Sequence, residues 1–293
     1  MTSSATTMIP DVEARNDALA LEHDIDEYYE RSSVFIRCIE ARRLRCIARM
    51  VDARPADRIL EVGCGGGHIL RLFPHSRLTG VDVSGRMLEK AGKNLAGYRV
   101  QLLKGELQHL NLPNGAFDKI ICSEVLEHVI DPEAVLEQIR RLIAPDGRVV
   151  ITLPNDDLIH RMKSLLRRTR ANRLPFCGRI AWGGDEYHLH LWRIPEMRTL
   201  LARFFAIQQE SFVPGRWLPV RCCFQCAADG TGCYPPGTAH ADPRAKLFSS
   251  SMPSILRLIA IPTRTRTARH NDIRMVTSSS ERYRQRIGLT GAE

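Results

Sequence analysis

The chain has 293 residues with 42 Lys/Arg against 33 Asp/Glu, a net charge of +9. That length buries a sizeable core as one large domain or a domain with appendages. No apolar run approaches the roughly 18 residues that a membrane-crossing helix needs. The first residues, MTSSATTMIPDVEARNDALALEHDID, lack a basic-then-apolar leader, so a cytoplasmic location is expected. Nine cysteines in such a chain read as free thiols rather than a disulfide framework. The charge is local. Residues 154–180 carry seven Lys/Arg and two Asp, residues 243–293 carry ten and three, and the remainder is mildly acidic.

Residues 1–20 are small, polar and aperiodic, and are expected to be disordered. From Asp26 the pattern turns helical, with Ile36, Ile39, Leu44, Ile47 and Val51 recurring between arginines. Arg58–Val62 is a short apolar run of the buried-strand kind, followed at once by Gly63, Gly65, Gly66 and Gly67. An apolar pattern through Ile69, Leu70, Leu72 and Phe73 predicts a helix behind the glycines. Leu78–Val83 is the next strand and carries Asp82, 19 residues after Gly63. Strand, glycine turn, helix, strand and acid make a nucleotide-binding half of a doubly wound sheet. Glycine lets the backbone turn tightly and approach a ligand, and an acid at that spacing can bond a ribose hydroxyl pair.

Ser84 is a plausible cap for the helix GRMLEKAGKNLA. Val100–Leu103 is a third strand, ending at Gly105-Glu106-Leu107. Pro113-Asn114-Gly115 makes a turn into a fourth, Phe117–Cys122. Asp131 and Pro132 start a helix that carries Val135, Leu136, Ile139 and Leu142 and stops near Pro145. Arg148–Leu153 is the fifth strand. Pro195-Glu196-Met197 opens another helix, and Ala206–Val213 and Leu218–Ala227 are the last two strands. The alternation predicts an α/β fold, a doubly wound, mostly parallel seven-stranded sheet with helices on both faces.

The string Glu61-Val62-Gly63-Cys64-Gly65-Gly66-Gly67 resembles motif I of the class I S-adenosylmethionine (SAM) methyltransferases, a Rossmann-like family. LPNGAFD, a strand closed by SEVLEHV, and APDGRVVIT follow in that family's order. The pattern is most similar to the ubiquinone-biosynthesis O-methyltransferases, over 58–153 well and over 185–228 loosely. The resemblance implies that Glu61, Gly63, Gly65 and Gly67 bracket the methionine end of SAM and that Asp82 holds its ribose. It places Glu106 and Leu107 beside the adenine, although the family more often has Asp where Glu106 stands. Cys122 and Ser123 would face the methionine portion. It also implies that residues 1–57 end in a lid helix, where Tyr28 or Tyr29 reaches the cleft or staples the helix to the core. The methyltransferase domain would span 58–229 with an acceptor insertion at 154–184.

Methyl transfer to a hydroxyl needs in-line positioning and removal of the acceptor proton. Glu124, Glu127 and His128, read as one helical turn, share a face. With His188 or His190 from EYHLHLWRIPEM they resemble the E-x-x-E-H metal set of some ubiquinone-type enzymes and of small-RNA 2′-O-methyltransferases. Two readings stay open. In one, Glu124, Glu127, His128 and His188 bind Mg²⁺ or Zn²⁺ as a Lewis acid. In the other, His128, His188 or His190 is the base, Glu124 assisting, with no metal.

Leu158, Ile159, Met162, Leu165 and Leu166 alternate with Arg161, Lys163, Arg167, Arg168 and Arg170. A basic amphipathic helix over 158–170 reads as a peripheral membrane contact suited to a lipid-like acceptor, or as a lid over the site. Arginines also bind RNA, but the segment lacks interleaved aromatics for base stacking. Cys222, Cys223, Cys226 and Cys233 hold only one C-x-x-C, inside a strand, and read as buried thiols rather than a zinc site. Residues 230–293 are expected to form a basic, partly flexible extension with a short apolar patch around Ile255–Ile261.

The expected function is SAM-dependent methyl transfer to a small or lipid-like acceptor, with hydroxyl oxygen the favoured atom. By the resemblance, the absence of N-P-P-[YF] after the fourth strand counts against base amino-methylation. An RNA 2′-O-methyltransferase and a non-catalytic SAM- or partner-binding module are the alternatives.

Overall fold

The computed structural model describes residues 34–169 and 188–228. The expectations for residues 1–20, Tyr28, Tyr29, Cys233, the second half of the insertion and 230–293 lie outside them. In chain order the elements are α1 (Val34–Val51), β1 (Arg58–Val62), β2 (Arg77–Asp82), α2 (Gly85–Asn94), β3 (Val100–Lys104) and β4 (Phe117–Ser123). They continue with α3 (Pro132–Leu142), β5 (Ile143–Pro154), α4 (Asp156–Arg168), α5 (Ile194–Ala202), β6 (Ala206–Gly215) and β7 (Leu218–Ala227).

The seven strands form one sheet in the order β3-β2-β1-β4-β5-β7-β6. Pairings from β3 to β5 are parallel, and β7 joins β5 and β6 antiparallel. This is the doubly wound sheet predicted. The strand order reverses between β1 and β4, which opens a crevice beyond their C-terminal ends.

Side chains alternate with the period of the strand. Leu60, Val62, Ile120, Cys122, Val149 and Ile151 pack with Leu136 and Ile139 of α3 and with Met197 and Leu201 of α5. Ile59, Ile121 and Val150 pack on the opposite face with Ile47 and Val51 of α1 and Ala91 of α2. Cys222 and Cys226 lie in the first cluster and Cys223 in the second, all buried and free. The alternation that argued against a zinc site therefore separates them.

Local chemistry sets the helix starts. Ser84 Oγ accepts the Met87 N–H at 3.1 Å, and Asp131 Oδ1 accepts the Ala134 N–H at 3.0 Å with Pro132 at the first helical position.

Two expectations need correction. The helix behind the glycines is one 3₁₀ turn, Leu70–Leu72, because Pro74 restricts Phe73 and ends the run before a second turn can close. Glu124–His128 is a turn rather than a helical face, since Glu124 has φ +57°. The described part of the N-terminal helix carries core residues. Ile39, Leu44, Ile47, Met50 and Val51 of α1 are buried, and the helix packs against β5, β6 and β7 as a layer of the same body.

Candidate functional site

The glycine loop leaves β1 at the crevice. Gly63 has φ +66°, and a Cβ there would stand 2.5 Å from Val125 Cγ2. Only glycine allows the loop to lie against the turn after β4. The carboxylate of Asp82, at the end of β2, fastens the loop to the start of α2. Its Oδ2 accepts the Gly65 N–H at 2.7 Å and its Oδ1 accepts the Ser84 N–H at 2.9 Å. Asn94 Nδ2 donates to the Gly66 carbonyl at 2.9 Å, closing the cradle from α2. Gly67 follows with φ +76°.

Glu61 is buried at the end of β1, and its Oε2 has no hydrogen-bond partner. Burial pushes its carboxyl well above the usual range, opposed by the Arg43 charge and a backbone hydrogen bond from Leu70. Glu106 lies past β3 and accepts a hydrogen bond from Gln108, with Leu107 buried beside it. Cys122 is fully buried, and burial raises its thiol far above the usual range.

Ser123 closes β4 inside a polar circuit that links α1, β4, β5, β7 and the turn after β4. Arg43 of α1 donates from Nη1 to Ser123 Oγ at 2.6 Å, and Ser123 Oγ meets Thr152 Oγ1 at 2.8 Å. Thr152 donates to Glu124 Oε1 at 3.1 Å. Because Thr152 gives its proton to a carboxylate, Ser123 is the donor to Thr152 and the chain runs one way from guanidinium to carboxylate. Arg221 of β7 pairs with Glu124 at 3.1 Å and with Glu40 at 3.7 Å, and Glu40 pairs with Arg43 at 2.8 Å. Arg43, Thr152 and Arg221 carry no local signal that marks them for this circuit. Their partners lie 80 and 28 residues away for two of these bonds, beyond any local period.

The left-handed backbone at Glu124 divides the E-x-x-E-H set. Glu124 turns to Thr152 and Arg221, while Glu127, His128 and His188 bring one ligand atom each within 4.8 Å of one another. Glu127 is buried with Oε2 lacking a hydrogen-bond partner. Burial first, then the Glu124 charge, raises its carboxyl well above the usual range. The Glu127 carbonyl accepts the N–H groups of Leu189 at 2.8 Å and His190 at 3.3 Å, which docks the 188–190 loop on the turn. The His128 and His188 rings meet edge to face at 5.0 Å. His190 stands outside this cluster. Its Nε2 bonds the Val129 carbonyl at 3.0 Å, and its ring stacks on Trp192 at 5.4 Å.

Above this edge of the sheet lies α4. Leu158, Ile159, Met162 and Leu166 are half-buried, and Leu165 is 62% exposed. No helix among the described residues is long and apolar enough to cross a membrane.

A family model for a methyltransferase domain matches residues 60–151. The chain is 36% identical over 115 residues to an uncharacterized 37.1 kDa protein in transposon TN4556 of Streptomyces fradiae, covering 36% of this chain and 33% of that one. It is 29% identical over 122 residues to the ubiquinone biosynthesis O-methyltransferase of Pectobacterium atrosepticum, covering 40% and 51%. The chain therefore spans a third to a half of the length of these curated relatives. Among solved structures, the N-methyltransferase NodS of Bradyrhizobium japonicum, in complex with S-adenosyl-L-homocysteine (SAH), is similar in fold. Its TM-score is 0.54 at 18% identity, over 74% of this chain and 98% of that one.

Proposed function

We propose that this chain, through its methyltransferase domain, acts as a class I SAM-dependent methyltransferase and transfers a methyl group to the hydroxyl oxygen of a small or lipid-like acceptor. The residues fit the cofactor. The left-handed glycines at 63, 65 and 67 bend the loop at the C-terminal end of β1, and Asp82 sits at its edge with an oxygen on the Gly65 N–H. A zwitterionic amino-acid end needs one anion and one cation. Glu61, with its unpartnered Oε2, and Arg43 are the buried pair coupled at that end of the cleft. When bound, SAM supplies a methyl group on a sulfonium, and the protein's task is to hold the acceptor in line and accept its proton.

The observation that carries oxygen as the acceptor atom is the Glu127–His128–His188 cluster with its unpartnered buried carboxylate oxygen. A buried acceptor without a donor is costly, and a divalent cation would satisfy it. Glu127, His128 and His188 would hold that cation, which supplies Lewis acidity toward an acceptor hydroxyl. With no cation, the same imidazoles stand as the base. Glu124, held by Thr152 and Arg221, keeps the turn in place. The half-buried apolar stripe of α4 and exposed Leu165 support a lipid-like acceptor and a peripheral membrane contact.

Transfer of a labelled methyl group from SAM to a panel of phenols, long-chain hydroxyl compounds, amines, carbon acids and RNA tests the reading, with and without chelator, in wild type and His128→Ala. Transfer to a hydroxyl that fails in His128→Ala supports it. Transfer to amines or carbon acids alone would reject oxygen as the acceptor atom. Transfer to RNA alone, falling steeply with salt, would replace the small acceptor.

A further inference from the structure

An acid that the sequence did not single out ties the histidine loop to the sheet. Asp156 is the first residue of α4, and its side chain is 1% exposed. Its two oxygens have separate partners, both from the 188–192 segment. Oδ1 lies 3.0 Å from His188 Nδ1, and Oδ2 accepts the Trp192 N–H at 3.0 Å. The helix start does not consume this carboxylate, because Asn155 caps α4 instead. The Asn155 carbonyl accepts the Ile159 N–H at 3.0 Å, and its Oδ1 accepts the Leu158 N–H at 3.4 Å.

A carboxylate facing Nδ1 selects the tautomer that carries its proton there and leaves Nε2 with a lone pair. With Nδ1 engaged by Asp156, Nε2 is the ring nitrogen left for Glu127 and His128.

We propose that Asp156 is the positioning residue of the Glu127–His128–His188 cluster. It fixes His188 as the Nδ1–H tautomer, presents Nε2 to the other two side chains, and anchors the same loop through the Trp192 N–H. The proposal rests on the reading of that cluster as a divalent-cation site. It adds the outer carboxylate that such sites use to orient a histidine ligand.

The test is titration of the metal-free protein with Co²⁺, followed by visible absorption, in wild type, Asp156→Asn and His188→Ala. Asparagine keeps the volume and can still accept the Trp192 N–H. Its amide donor, however, favours a deprotonated Nδ1 and so puts the proton on Nε2. Asp156→Asn is expected to bind Co²⁺ about 10- to 100-fold more weakly than wild type, with an altered ligand-field band approaching that of His188→Ala. Wild-type affinity and an unchanged band in a folded Asp156→Asn would overturn the proposal and reduce Asp156 to a fastener of the loop. Absence of Co²⁺ binding by wild type would overturn the metal reading and this inference with it. Should Asp156→Asn fail to fold, long-range proton–nitrogen NMR of the metal-free wild type at alkaline pH decides the matter. The signal missing in His188→Ala should report an Nδ1–H tautomer, and an Nε2–H tautomer would overturn the proposal.

Discussion

Gly63→Ala tests whether the cofactor loop and the turn after β4 form one packed unit. Two costs follow from the coordinates. The residue sits at φ +66°, where an L side chain costs about 1–2 kcal/mol. The new Cβ would also lie 2.5 Å from Val125 Cγ2, and relieving such an overlap in a packed region costs about 1–3 kcal/mol. Together they predict a loss on the order of 2–5 kcal/mol, or a fall in Tm of roughly 5–15 °C for a folded body of this size. Thermal and urea unfolding of Gly63→Ala, Val125→Ala and the double variant separate the two causes. Removing the Val125 methyl groups should return the overlap cost but not the backbone cost, giving a coupling of about 1–3 kcal/mol between the sites. A Gly63→Ala protein as stable as wild type, or additive effects in the cycle, would show that the loop and the turn are not packed as one unit.

Three further outcomes are expected. The buried Glu61 carboxyl titrates above its ordinary value of 4.5, so the ligand-free folded state favours the protonated form. Its contribution is complete below 4.5 and is lost as pH rises toward the raised value. Urea midpoints at several pH values should show Glu61→Gln more stable than wild type at pH 8, with the gap closing toward pH 4, and weaker for SAH throughout. Ser84→Ala removes the cap of α2 and should cost about 1 kcal/mol in the urea midpoint, the Met87 N–H having lost its acceptor. Leu165→Glu changes a side chain 62% exposed and should leave stability within about 0.5 kcal/mol while reducing co-sedimentation with lipid vesicles. Unchanged co-sedimentation would remove α4 from any membrane contact.

The sheet was legible because its strands are continuous apolar runs, as strands covered on both faces must be, with glycine, proline and capping signals between them. Ser84 and Asp131 cap the helices that their positions predicted. The glycine loop and Asp82 were legible for the same reason, since their spacing along the chain is their geometry. The geometry of the E-x-x-E-H segment is not legible from helical periodicity, because the backbone turns left-handed at Glu124. That reversal sends Glu124 to Arg221 and leaves Glu127 and His128 with His188. Arg43 could not be told from its neighbours in an arginine-rich helix until α1 was packed on the sheet. Asp156 looked like an ordinary first-turn acid until its partner, 32 residues on, was in place.

The proposed SAM site is the cradle from Glu61 to Asp82. Calorimetric titration of the purified chain with SAH, beside Asp82→Ala, tests it most directly. Asp82 holds the loop through the Gly65 and Ser84 N–H groups, so its loss removes both an expected ribose contact and the loop's anchor. Wild type is expected to bind SAH with micromolar affinity, and Asp82→Ala not at all. A folded wild-type protein that releases no heat with SAH would contradict it.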